Sequence, residues 1–295
     1  MKRSRVYLIL VLANLFWAGN FIVGHFVVTE ISALQLTTFR WALGLVLLIP
    51  LAIVIERPDW RAALREWPRH LLLALLGPLA FNLLNYEALR FTTAINVALI
   101  GALSPALIAV LAALIARDRL RASAIGGIAL SLFGVLLILT RGDPGTLFGA
   151  GVNAGELLML AAVVCWGFYT VLGRRISTPP ITATAIQAAL TVVMLSPFLA
   201  ASGVTWSMSA EATWGLVFIV VFPTVAAFVL WNTAVKDVGA ARSGVFLNLL
   251  PVFTAAIGLA LGGSIGLIQI LGGALVITGV WLTNRAPRAS VSGVG

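Results

Sequence analysis

Leu12-Ala-Asn-Leu-Phe-Trp17-Ala-Gly-Asn-Phe-Ile-Val-Gly24 is echoed, loosely, by Ala161-Ala-Val-Val-Cys-Trp166-Gly-Phe-Tyr-Thr-Val-Leu-Gly173. Further along, Ala94 to Pro105, Gly126-Gly127 and Gly134-Val135 are echoed by Ala240 to Pro251, Gly272-Gly273 and Gly279-Val280. Trp17 and Trp166 are 149 residues apart; Pro105 and Pro251 are 146 apart. So constant an offset marks an internal duplication. If each copy crosses a membrane an odd number of times, the second copy enters from the opposite side. Inverted duplication of this kind is an architecture of secondary transporters.

Composition makes the bilayer the solvent. The chain is 61% hydrophobic and 10% charged, with mean hydropathy +1.07. A soluble domain carries about 25% charged residues. Charge-free runs cover 6–29, 91–116, 122–140, 157–173, 176–210, 212–235 and 243–284. A spanning helix needs about 20 apolar residues, so the last run holds two, broken at Gly262-Gly263-Ser264. Ten spans are predicted, near 6–28, 35–55, 70–89, 93–115, 122–140, 154–174, 181–201, 212–234, 241–261 and 265–284. The runs are apolar all round, without the alternation of barrel strands. The expected fold is all-α, two inverted five-helix repeats around a central cavity: 1–145, then 150–287, then a cytoplasmic tail at 288–295.

The net charge of +9 is a topology signal. With the N-terminus inside, 16 of the 19 Lys and Arg fall inside. Only Arg90 and Arg141 fall outside, and Arg40 lies within a span. This obeys the positive-inside rule and puts both termini in the cytoplasm, with a bacterial inner membrane as the expected location. No nucleic-acid partner is implied. Met1-Lys-Arg-Ser-Arg before an apolar run imitates a leader. The run exceeds an h-region of about 7–15 residues, so it is read as a retained first helix. Cys165 is the single cysteine, which excludes an intramolecular disulfide and a Cys-based metal site.

Helix 4 carries Ala94, Ala98, Ala102 and Ala106 with Gly101 between, and helix 9 carries Gly258 and Gly262. Small residues at this spacing let helices approach closely in lipid. Pro105 and Pro251 are expected to kink these two helices. The segment 56–70, with Trp60 and Trp67, reads as a membrane-surface turn.

These motifs resemble the drug/metabolite transporter superfamily, EamA type. The resemblance rests on Leu15-Phe-Trp17-Ala-Gly-Asn20-Phe, Phe39-Arg40-Trp41 and the stretch from Asn85 to Leu99. It continues through Ser104-Pro105, Arg117-Asp118-Arg119-Leu120, Gly126-Gly127 and Gly134-Val135. In the second half it rests on Cys165-Trp166-Gly167, Leu249-Leu-Pro251-Val-Phe253 and Gly272-Gly273-Ala274. Two departures stand out. The family's Gly-Glu pair after helix 4 is Arg117-Asp118 here, and after helix 9 it is Gly262-Gly263-Ser264, without an acid. The resemblance implies a ten-helix basket with helices 5 and 10 peripheral, and movement of small organic metabolites, often export of amino acids.

Polar groups in lipid need a reason, since an Arg or Asp at a helix centre costs roughly 2.5–3.5 kcal/mol on insertion scales. Arg40 and Glu87 fall at similar depth below the outer surface, and are expected to face each other as an ion pair, a gate or a proton-linked site. His25, near the outer end of helix 1, is a further gating candidate and more simply an interfacial residue. Asn14, Phe21 and His25 share one face of helix 1, with Asn20 on another. The expected substrate lining combines Trp17, Asn20, Asn82, Asn85, Tyr86 and Asn96 with Trp166, Tyr169, Trp231 and Asn248. Amides suit a zwitterion and rings cover an apolar body or a cation; packing or an interfacial belt is the simpler role for each Trp.

The chain lacks a Gly-x4-Gly-Lys-Ser/Thr loop, so ATP is not the direct driver, and facilitated or proton-coupled movement is expected. No cofactor and no metal are expected. The two His residues lie 45 apart, without His-Glu-x-x-His or Gly-x-Ser-x-Gly, which disfavours an intramembrane enzyme. A flippase for lipids or lipid-linked sugars is the closer alternative. The expected partners are a small-molecule substrate and membrane lipids, and a homodimer is left open.

Overall fold

The computed structural model describes residues 3–116, 122–143 and 153–283. The first half comprises α1 (Arg5–Val27), α2 (Ala33–Glu56), α3 (Trp67–Ala88), α4 (Ala94–Ile115) and α5 (Ala122–Leu139). The second comprises α6 (Ala154–Gly173), α7 (Pro180–Ser202), α8 (Ala210–Val238), α9 (Arg242–Ala260) and α10 (Leu267–Thr283). All but α5 and α10 are long and apolar enough to cross a membrane, and those two hold shorter apolar helices. The described residues contain no strand. Arg117, Asp118, Arg119, the tail at 288–295 and the repeat junction near 145–150 lie outside the described residues.

Local sequence starts several helices. Ser32, Thr93, Asn153 and Ser209 each accept a backbone N–H of the first turn, at α2, α4, α6 and α8. These short polar side chains satisfy donors that a helix leaves open at its N-terminus. Between α2 and α3, Asp59 caps a short surface helix, Trp60–Arg65.

The two halves interlock. α1 packs on α8 and α9, α2 on α7, and α3 and α4 on α6. Large apolar side chains such as Val46, Val54 and Phe198 remain exposed on the outside, as lipid-facing positions should. α5 and α10 pair at the edge through glycines. A Cβ on Gly134 would come 2.6 Å from the Gly272 carbonyl oxygen, and one on Gly279 would strike the Gly127 carbonyl.

Five helices are irregular: α2 ends in a π-helical turn at Ala52–Glu56, and the other four form repeat-related pairs. α4 is interrupted at Ala102–Leu103, just before Pro105, and α9 tightens into a 3-10 turn at Val245–Asn248, just before Pro251. Each proline lacks the N–H that the preceding turn would use. α3 and α8 instead widen into π-helical turns at Leu75–Phe81 and Val220–Ala226, centred on Pro78 and Pro223. The two prolines are 145 residues apart. π turns loosen the backbone ladder where other groups can reach in.

Candidate functional site

Aromatic rings from both halves meet at the centre. Trp17 stands edge-on to Trp166, with ring centroids 5.2 Å apart, and lies 5.4 Å from Trp231. Phe228 stands edge-on to Trp17, Trp41 and Trp166. Trp166 stacks on Tyr169 at 5.2 Å and leans on Phe81 at 4.8 Å. The widened turns help fix this cluster. Trp41 Nε1 donates to the Pro78 carbonyl oxygen at 2.9 Å, and Trp17 Nε1 donates to that of Pro223 at 3.1 Å. Thr224 Oγ1 donates to the Ile219 carbonyl at 2.6 Å, at the start of the widened turn.

Beside the rings lies a narrow cavity. Its wall includes Trp17, Asn20, Phe21, Arg40, Phe81, Asn82, Ser104, Met159, Trp166 and Phe228. A second, adjoining lining holds Tyr169, Gln187, Trp231, Asn232 and Lys236.

Arg40 is buried at 1% exposure, yet no carboxylate reaches it among the described residues. Its Nε donates to Thr224 Oγ1 at 2.7 Å and its Nη1 to Asn82 Oδ1 at 2.7 Å and to the Tyr86 hydroxyl. The Tyr86 hydroxyl passes its own hydrogen to Asn20 Oδ1 at 2.6 Å. Thr224 and Asn82 sit in or beside the two widened turns, so Arg40 ties both proline bends together. Among the described residues its Nη2 carries no hydrogen bond. Neutral partners spread the charge without cancelling it, and an unpaired buried cation is costly. An anionic group arriving in the cavity would supply what is missing.

The two ends of the bundle are held by bonds between the halves. At one end Glu30 accepts from Ser209 N and Oγ at 2.8 and 2.6 Å, and Gln35 exchanges two bonds with the Thr205 backbone. At the other, Glu56 accepts from Ile181 N, Thr182 N and Thr182 Oγ1. Glu66 accepts from the backbone N–H and hydroxyl of both Ser177 and Thr178, while Lys236 Nζ donates to their carbonyls. Burial pushes the Glu66 carboxyl up, but these four donors outweigh it and hold the group at about 2. His70 Nε2 lies 3.0 Å from Thr178 Oγ1. That hydroxyl hydrogen goes to Glu66, so the imidazole is the donor.

Set against the sequence expectations, Trp17, Asn20, Arg40, Asn82 and Trp166 line the central cavity, and Tyr169 and Trp231 line its neighbour. Asn20 shares the cavity with Phe21 despite their different faces of α1, and it bonds α3 through Tyr86. Tyr86 stands behind Arg40 rather than in the wall. Asn85 is buried with neither amide atom bonded, and Asn248 leaves its Oδ1 unpartnered in the 3-10 turn of α9.

Two expectations, for Glu87 and Asn96, are corrected. Glu87 does not meet Arg40; it pairs with Arg90 one turn on, at 2.9 Å, at the surface. Asn96 is not with the central set. It sits at the Glu30 end, bonded to Glu156 at 2.8 Å and to Gln269 at 2.9 Å. His25 serves as a tie, its Nδ1 2.9 Å from the Leu89 carbonyl oxygen. The sequence reading missed Phe81, Thr224, Phe228 and Glu156. Pro78 and Pro223, at matching places in the two halves, were the available signal for the first three.

A sequence profile of the EamA-like transporter family matches residues 4–140 and again 153–285. The uncharacterized transporter YyaM of Bacillus subtilis is 30% identical over 294 residues, covering 98% of this chain and 96% of that protein. An uncharacterized transporter of Archaeoglobus fulgidus is 28% identical over 286 residues, covering 95% and 98%. The aromatic amino acid exporter YddG of Ancylobacter novellus is 25% identical over 217 residues, covering 68% and 73%. A crystal structure at 20% identity superposes with a TM-score of 0.71 over 96% of this chain and 98% of that one, which speaks for the fold alone.

Proposed function

The chain belongs to the EamA-like transporter family of the drug/metabolite transporter superfamily, and on that premise we propose that this membrane transporter carries small organic metabolites bearing a carboxylate beside an apolar or aromatic body. The observation behind this reading is Arg40: a buried guanidinium without a counter-ion among the described residues, in the wall of a cavity that also presents Trp17, Trp166 and Phe228. The carboxylate goes to Nη2, since Arg pairs planar anions well, and the rings cover the side chain. Amino acids with apolar or aromatic side chains fit, and YddG, named as an aromatic amino acid exporter, points the same way.

Transport proceeds by alternating access. The bonds at Glu30 and Gln35 close one end, those at Glu56, Glu66 and Lys236 the other, and each set opens in turn as the halves rock. The Lys and Arg asymmetry of the sequence supports a cytoplasmic side for the Glu66 end and both termini. Net flow is outward when the cytoplasmic concentration is higher.

Counterflow into proteoliposomes preloaded with L-phenylalanine tests this. Labelled L-phenylalanine is expected to exchange, while phenethylamine, which lacks the carboxylate, is not. Equal exchange of both sinks the carboxylate role. The groove between α2 and α8 is lined only by apolar residues such as Val46, Pro50, Val221 and Val229, so it offers a lipid headgroup no polar contact there.

A further inference from the structure

Glu156 is the one fully buried carboxylate among the described residues, and the central site does not use it. It lies in the first turn of α6, against the start of α4, at the Glu30 end. Its Oε1 accepts from Asn96 Nδ2 at 2.8 Å and Thr92 Oγ1 at 3.3 Å, while its Oε2 has no partner. No Lys, Arg or His comes within ion-pairing distance among the described residues. Residues 144–152, which precede this helix and lie outside the described residues, include no basic residue.

The helix N-terminus does not supply the missing positive charge by direct contact. The Gly155 N–H goes to Asn153 Oδ1 and the Glu156 N–H to the Asn153 carbonyl. Arg141 interacts with Glu156 only at a distance, without an ion pair, and the Glu87–Arg90 pair stands at the end of α3. Glu87 and Arg90 satisfy each other.

The contact also reports on helix position. Asn96 is held on its other side by Gln269 Nε2 at 2.9 Å, and Gln269 Oε1 accepts the Gly266 N–H at 2.7 Å. A single hydrogen-bonded chain therefore joins α6, α4 and the start of α10. An opening that separated these helices would part the chain and expose Glu156 to water.

We propose that Glu156 is a proton-binding site linked to opening of the Glu30 end: the acid carries a proton on Oε2 while the end is closed, and gives it to water when the end opens. One O–H bond breaks, one hydronium forms, and a carboxylate is left that water can solvate. Closure needs the proton back, because a bare carboxylate with one unpartnered oxygen does not fit the closed contact. Resting on the carrier reading, this makes the balance between closed and open states of the Glu30 end depend on the pH at that end.

The full-length protein in liposomes tests it without any substrate. Infrared difference spectra between acid and alkaline buffer should show the carbonyl stretch of a protonated carboxylic acid vanishing at high pH. The band should be absent in Glu156→Gln, kept in Glu87→Gln, and moved in Glu156→Asp, which guards against a misfolded variant. Hydrogen exchange in residues 94–101, corrected for the chemical rate, should rise with pH in the wild type and stay low in Glu156→Gln. An unchanged band in Glu156→Gln, or exchange that rises equally in that variant, overturns the proposal. L-phenylalanine counterflow is run alongside. If it fails while the band behaves as expected, the substrate reading falls and the proton site stands.

Discussion

Trp17 of the first repeat donates its indole N–H to the carbonyl oxygen of Pro223 in the second, at 3.1 Å. The corresponding proline bend of the first repeat, at Pro78, accepts the indole N–H of Trp41 from the same repeat. Both bonds fix a ring of the central cluster to a proline bend. Trp17→Phe keeps most of the ring and deletes the donor, leaving a buried carbonyl short of a partner. Such a loss costs about 1–3 kcal/mol. A lower melting temperature in detergent, together with slower counterflow, is the expected outcome; Trp41→Phe should lower stability similarly, with a smaller effect on KM because Trp41 is not in the cavity wall.

Arg40 is the substrate's anion partner in the proposed reading, and it also joins the two bends. Arg40→Lys keeps the charge and loses the fork. Hydrogen bonds to charged groups contribute about 1.5–3 kcal/mol, so KM for L-phenylalanine should rise tenfold or more, at roughly 1.4 kcal/mol per factor of ten. Arg40→Gln should abolish discrimination against phenethylamine. Wild-type KM in Arg40→Lys would remove Arg40 from substrate binding.

At the opposite end from Glu30, Glu66 is held at about 2, against an ordinary 4.5, by Ser177 and Thr178. A carboxyl depressed by folded-state contacts contributes fully above its free value and loses that contribution as pH falls through the lower one. The clamp should therefore be unaffected from neutral pH to about 4.5 and weaken between about 4.5 and 2. Ala183→Cys, in a Cys165→Ser background, places a thiol in the lining behind this clamp. An impermeant thiol-specific disulfide should label it faster when Glu66→Gln is added at neutral pH. In the parent, reactivity corrected for thiolate content should rise only below about 4.5.

Much of the bundle is legible because lipid punishes polarity residue by residue, so apolar runs, basic loops and repeated glycines all show in the letters. Partners are harder. Arg40 and Glu87 matched in depth, but depth says nothing of azimuth. Asn82 and Tyr86 stand one turn apart on the face of α3 that meets Arg40, and Glu87 is about 100° further round. Asn96 and Ser104, eight residues apart, would share one stripe of an unbroken helix, yet the interruption at Ala102–Leu103 breaks that stripe in two. Glu156 escaped notice because it stands at the polar edge of an apolar run, where a sequence cannot distinguish a solvated cap from a buried acid.

The edge pair α5 and α10 gives a prediction that separates stability from substrate handling. A Cβ at Gly134 would sit 2.6 Å from the Gly272 carbonyl oxygen and 2.9 Å from Val276 N, so backbone, not a flexible tip, must yield. Overpacking of this kind costs about 1–3 kcal/mol. At Gly126, in the same helix, an added Cβ meets nothing within 4 Å, and Ala there should be neutral or gain about 0.5–1 kcal/mol of helix propensity. Gly134→Ala should therefore lower the melting temperature in detergent while Gly126→Ala does not. Both should keep the wild-type KM, because neither glycine lies in the cavity wall. Equal melting temperatures would mean that α5 and α10 pack less tightly than these glycines require.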